Sequence, residues 1–91
     1  MTTEAAVYRT KRDVRFRVVG NEAVVVRQED AEVIALNEVG ASVLSLLDAR
    51  RSVREILDVL LEQYDVDRES LSGDVARFLG ELLDAGVVEQ A

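Results

Sequence analysis

The sequence predicts an α+β fold, a three-stranded antiparallel sheet followed by a cluster of three helices. Val14, Phe16 and Val18 alternate with arginines at the two-residue period of a strand, short apolar runs rich in β-branched residues follow at 23–26 and 33–36, and beyond Asn37 apolar residues recur every three or four residues, the period of a helix. Each helical stretch opens on a residue suited to capping, namely Asn37, Ser52 and Asp67. Strand and helix signals also occupy separate blocks of the chain, as expected of an α+β protein rather than one with alternating βα units.

Along the chain, Met1 to Thr10 show no periodicity and read as a loose arm, so residues 1–12 are set apart from a folded domain over residues 13–91. Val14, Phe16 and Val18 alternate with Arg15 and Arg17, which predicts a half-buried first strand with its basic side in water. Gly20-Asn21 supplies the positive-φ positions of a tight hairpin leading into a second strand, Ala23-Val24-Val25-Val26. After the polar turn Gln28-Glu29-Asp30, Glu32-Val33-Ile34-Ala35-Leu36 completes a meander.

Asn37 can accept an otherwise orphan backbone N–H at the start of the first helix, whose inward stripe is Val39, Val43, Leu46 and Leu47. Ser52 and Glu55 form a capping box for the second, behind which Val53, Ile56, Leu57, Leu60, Leu61 and Tyr64 keep helical spacing. Asp67 caps the third, with the stripe Leu71, Val75, Phe78, Leu79, Leu82 and Leu83. Gly86 gives it a left-handed stop, after which Val87 and Val88 tuck back against the core.

Ninety-one residues suffice for one domain with a modest core and leave no room for a second. The chain has no Cys and no His, which removes thiol and imidazole nucleophiles, imidazole bases and structural zinc sites, so neither an enzyme nor a cofactor is expected. With no apolar run long enough to span a bilayer and no secretory signal, the chain reads as cytoplasmic with no membrane partner. Eighteen acids against eleven bases leave a net charge of −7, and from Asn21 onward six Arg face sixteen acids. Such a surface repels a phosphate backbone, so nucleic acid is not an expected partner.

The segment Leu36 to Leu57, LNEVGASVLSLLDARRSVREIL, runs from strand end to capped helix, tight turn and second capped helix without a spare residue. It resembles the signature of the PqqD-like peptide chaperones, also called precursor-peptide recognition elements. The matching residues are Leu36-Asn37, Ala41, the Val43/Leu44 and Leu46/Leu47 pairs, Asp48, Ser52-Val53, Asp74-Val75 and Phe78-Leu79, and the resemblance runs from about Val14 to Val88. It departs at Ala49, where the family usually has Gly. The resemblance implies a winged-helix-turn-helix-like fold that binds the leader segment of a ribosomally made precursor peptide. It implies delivery of that peptide to a maturation enzyme, which in relatives is a radical S-adenosylmethionine enzyme, a leader peptidase or a cyclase, as in pyrroloquinoline quinone or lasso-peptide pathways.

The residues themselves also point to the third strand. A meander leaves two edges; Arg15 and Arg17 defend the first, whereas the third has only Glu32 followed by four apolar residues. Such an edge suits a guest peptide that adds as a further strand. The resemblance implies the same edge, with a cleft between it and the third helix. Candidate peptide-binding residues are thus Glu32, Val33, Ile34, Ala35 and Leu36 on the strand and Val75, Phe78, Glu81 and Leu82 on the helix. Val75, Phe78 and Leu82 fit the core stripe equally well, and the strand's alternation does not say which pair, Ile34 with Leu36 or Val33 with Ala35, faces the core.

Other features have plainer structural accounts. Arg50, Arg51 and Arg54 form a cluster that would contact backbone phosphates in a winged-helix DNA binder, yet the third helix sets Arg68 and Arg77 among Glu69, Asp74, Glu81 and Asp84. A solvated cluster or an enzyme-docking patch is the alternative. The pairs Asp65/Asp67 and Glu29/Asp30 sit where caps and turns favour acids, so no metal site is assigned to them. Gly73 and Gly80, seven residues apart, share a helix face away from the apolar stripe and are either tolerated there or approached by a partner backbone. The strand edge that suits a leader also suits a second copy of the chain, which leaves a monomer or a homodimer, the latter as a self-associating adaptor.

Overall fold

Two three-stranded antiparallel sheets flank a helical core in the computed structural model, which describes residues 4–29 and 31–91. The elements in chain order are β1 (Val7–Thr10), β2 (Val14–Val19), β3 (Glu22–Arg27), β4 (Glu32–Leu36), α1 (Glu38–Ser45), β5 (Asp48–Ser52), α2 (Val53–Gln63), α3 (Arg68–Asp84) and β6 (Val88–Gln90). The meander β2-β3-β4 has the expected order and ungapped register, with Phe16 opposite Val25 and Val25 opposite Ile34. Gly20, at φ +63, is the first of two turn residues between the paired Val19 and Glu22, where a hairpin of this length requires the left-handed region.

A second sheet, β5-β1-β6, was not expected, and it corrects the reading of residues 1–12 as a loose arm. β1 is its central strand, with Tyr8 and Ala6 buried and Lys11 N–H donating to the Val87 carbonyl at 3.0 Å. The VYRT segment is too short to show a period, and its partners lie far away in sequence, so only tertiary pairing makes it a strand. Met1 to Thr3, also assigned to the arm, lie outside the described residues. The tight turn expected at Asp48 is instead β5, which pairs with β1 across a register shift and carries Ala49 at φ +65. Asp48 accepts the Arg50 and Arg51 N–H groups at 2.9 Å each and the Arg51 guanidinium at 3.0 Å, which holds its carboxyl below the usual range.

The caps fall where the sequence sets them. Asn37 accepts the Gly40 N–H at 2.9 Å, and the Ser52/Glu55 box closes in both directions at 3.3 and 3.0 Å. Gly86 takes φ +73, which disfavours any residue with a Cβ, while the Arg27 guanidinium 2.6 Å from such a Cβ is the tip of a flexible side chain that can give way. The core consists of the inner faces of β3 and β4 with the expected helical stripes, among which Val25, Val43, Ile56, Leu57, Leu60, Leu79 and Val87 are wholly buried. Leu83, expected on the stripe of α3, is exposed instead. β2 also departs from expectation, since only Val14 is buried while Phe16 is 40% and Val18 52% exposed. α1 packs beneath β3 and β4, and Val18 of β2 borders a hollow together with Ala41 and Ser42 of α1. Among the described residues no helix is long and apolar enough to cross a membrane.

Candidate functional site

β4 is an open edge of its sheet, and backbone geometry settles which of its residues face outward. In an antiparallel ladder, pairs that exchange hydrogen bonds alternate with pairs that do not. Gln28 N–H donates to the Asp13 carbonyl at 2.8 Å, so in the same register Arg15, Arg17 and Val19 spend their backbone groups on β3. The next rung then joins Ala23, Val25 and Arg27 to Leu36, Ile34 and Glu32. The N–H and C=O groups of Val33 and Ala35 are therefore directed away from the sheet.

The side chains divide the same way. Leu36 is buried and Ile34 packs partly against the core, while Val33 is 63% exposed on the opposite face beside Ala35. The ambiguity left by alternation is thus resolved with Ile34 and Leu36 inward. A guest strand on this edge would place residues beside Ile34 and Leu36 facing α3, and residues beside Val33 and Ala35 facing solvent.

α3 is tied to the sheet near both ends of β4. At the start of β4, Arg27, paired with Glu32, donates to the Ala85 carbonyl at the C-terminus of α3, where a cation also meets the negative end of the helix dipole. At the far end, Phe78 packs over Gly40, where a Cβ would lie 3.1 Å from the ring and 3.3 Å from the Leu36 side chain. Asp67 holds the N-terminus of α3. The Ser70 hydroxyl and the backbone N–H groups of Glu69 and Ser70 bond its carboxylate and keep its carboxyl below the usual range.

Where β4 runs into α1, these elements enclose a cavity of about 370 Å³. Val39, Gly40 and Val43 form one wall and Leu71, Val75 and Phe78 the other, with Val66 at one end and Asp74, Arg77 and Glu81 in the lining. Arg77 is paired with Asp74 at 2.9 Å. Apolar walls with a few charged groups suit an apolar side chain carried on a polar backbone.

Of the residues singled out in the sequence, Val75, Phe78 and Glu81 line this cavity and Leu82 is buried in the core, whereas Glu32 to Leu36 form the open edge without lining the cavity, which meets the strand through Asn37. Sequence reasoning missed the wall from α1 and the contribution of Val66. Val66 did leave a trace, an apolar residue between Asp65 and Asp67 that belongs to no helical stripe and remains 48% exposed. Gly73 and Gly80 face open space, with nothing within 4 Å of an added Cβ. The Arg cluster is partly occupied, since Arg51 pairs with Asp48 at 3.0 Å and Arg54 lies 3.9 Å from Glu4.

The chain is similar in sequence to proteins described as PqqA binding protein. It is 36% identical over 59 residues to those of Rhodopseudomonas palustris strain HaA2, covering 65% of this chain and 58% of that protein, and of Bradyrhizobium diazoefficiens strain USDA 110, covering 65% and 57%. The chain therefore spans less than three fifths of the length of these curated relatives. In structure it is similar to TbiB1 in complex with the TbiA(beta) leader peptide, with TM-score 0.82, 26% identity and coverage of 89% of this chain and 94% of that one. It is equally similar, at TM-score 0.82 and 28% identity over 98% and 95% of the two chains, to the PqqD truncation of Methylobacterium extorquens PqqCD, a stand-alone recognition element for ribosomally synthesised and post-translationally modified peptides. The family model of coenzyme PQQ synthesis protein D matches residues 22–88, a span that takes in β3, β4, all three helices and the cavity but not β2, and the chain belongs to the PqqD family.

Proposed function

We propose that this chain is a noncatalytic recognition element that captures the leader segment of a ribosomally made precursor peptide by strand addition to β4 and presents the peptide to a maturation enzyme. The observation that carries this reading is the open edge at Val33 and Ala35, whose strand leads through Asn37 into a cavity with largely apolar walls. The leader's backbone bonds to the outward N–H and C=O groups of those two residues. An apolar leader side chain enters between Val39, Val43, Val75 and Phe78, with Glu81 at the lining to meet a polar or cationic neighbour. Relatives described as binding PqqA, and a similar structure that holds a leader peptide, support the same assignment.

Glu32, Ile34 and Leu36 serve by holding the edge in place, Leu82 by backing the helix wall. The maturation enzyme is a radical S-adenosylmethionine enzyme, a leader peptidase or a cyclase, acting in the cytoplasm, and the chemistry is its own. Calorimetric titration with leader peptides encoded beside this gene, at two salt concentrations, tests the reading. Backbone bonds and apolar packing predict one-to-one binding that changes little with salt, whereas a phosphate-binding surface would lose affinity steeply. A folded, monomeric protein that gives no heat with any such leader would overturn it.

A further inference from the structure

The meander has a second open edge, and its chemistry differs from that of β4. The alternation that turns Val33 and Ala35 outward on β4 turns Phe16 and Val18 outward on β2, because Arg15, Arg17 and Val19 bond to β3. These backbone groups carry side chains that are themselves exposed, at 40% for Phe16 and 52% for Val18. Below Val18 lies a hollow of about 380 Å³ where Ala41 and Leu46 sit among the polar Glu38, Ser42, Ser45 and Gln63. On the other face of the strand stand Arg15 and Arg17, both exposed, and Arg12 lies just before it. None of these three Arg meets a carboxylate among the described residues, and the only side-chain bonds of Arg15 are to the Arg12 and Val14 carbonyls at 2.9 and 3.2 Å. In a chain of net charge −7 these arginines make a cationic strip, flanked on its own face by Asp13 and Glu22 and backed on the opposite face by Phe16.

We infer that β2 is a second strand-docking edge, and that its occupant is an extended segment of a partner protein in which acidic and apolar residues alternate. The periodicity follows from the pleat. Residues of an added strand lying beside Arg15 and Arg17 share their face and meet two guanidinium groups, while the residues between them lie beside the exposed Phe16 and Val18. A second copy of this chain is a poor occupant, since antiparallel self-pairing centred on Phe16 or on Arg17 sets arginine against arginine. A leader peptide held at β4 is left in place, because the two edges lie on opposite sides of β3.

The probes are two capped octapeptides, one alternating Glu with Val and one alternating Lys with Val, each kept monomeric by its own charge. Titrated into the labelled protein and followed by amide NMR, the Glu-Val peptide is expected to shift Phe16 and Val18, leave Val33 and Ala35 in place, and bind at least about tenfold tighter than the Lys-Val peptide. Arg15→Glu with Arg17→Glu should invert that preference while leaving leader binding at β4 unchanged, and Arg15→Gln with Arg17→Gln should abolish the preference without the burden of added acids. Equal binding of the two peptides, shifts confined to β4, no shift at all, or concentration-dependent broadening of β2 without peptide would each overturn the proposal. Because the readout at β2 needs no leader, it stands or falls separately from the leader-binding reading.

Discussion

Two alanines carry backbone conformations that suit glycine. Ala31, in the turn before β4, has φ +56, and Ala49, in the irregular pairing of β5 with β1, has φ +65. The left-handed region crowds a Cβ against the following carbonyl, so Ala49→Gly and Ala31→Gly should each stabilise the fold by up to about 1 kcal/mol, read as a shift in the urea midpoint at unchanged slope. At Gly40 the argument reverses. An added methyl crowds the Phe78 ring, and that ring borders a cavity into which it can move. Gly40→Ala should therefore change stability by less than about 1 kcal/mol, as helix propensity offsets the crowding, yet weaken leader binding by filling the pocket, which paired denaturation and calorimetry would separate. The outward N–H of Val33 allows a cleaner test of the edge than any change at Ile34, whose N–H belongs to the ladder with β3. Val33→Pro should leave the sheet intact and cost about five- to tenfold in leader affinity, whereas a proline at position 34 would break the meander itself.

At the scale of elements, the sequence was most legible where periodicity and caps agree. Ser52 with Glu55 and the stripe behind them placed α2 to within a residue, and Asn37 and Asp67 did the same for the starts of α1 and α3. β1, β5 and β6 were illegible because they are short, lack alternation and acquire their strand character only from one another. The position of β1 between the other two makes a strong prediction. A chain beginning at Lys11 should lose most of its thermal stability, since it forfeits Tyr8, Ala6 and both ladders of the second sheet, whereas an arm would be removable without cost. Differential scanning calorimetry decides between these. The burial of β2 was misjudged for a related reason, since alternation marks a face without saying whether any helix covers it. The cavity was half legible, its α3 wall following from helical spacing and its α1 wall depending on how Gly40 meets Phe78.

Across the whole molecule, the proposed functions divide between the two edges of one small sheet, with the cavity of α1 and α3 serving the β4 edge. The acidic helices and the basic strip at β2 put opposite charge on different sides of the sheet, a distribution invisible to net charge alone. Stability at low pH follows from two carboxylates. Asp48 and Asp67 are both held below the ordinary value of 3.8 by backbone and side-chain donors, so their contribution is present above that value and is lost as pH falls through their lower folded values. Melting temperature should hold steady down to about pH 5 and decline below about pH 4, and Asp67→Asn, which keeps a capping oxygen, should flatten part of that decline. Leader binding at neutral pH should be insensitive to either group.

The most direct test of the central claim is residue-resolved amide hydrogen exchange with and without the leader peptide. Strand addition predicts that exchange slows at Val33 and Ala35, whose N–H groups pass from solvent to the leader backbone, while Phe16 and Val18 stay as they were. Protection confined to α3, or appearing at Phe16 and Val18 while Val33 and Ala35 remain open, would contradict the account.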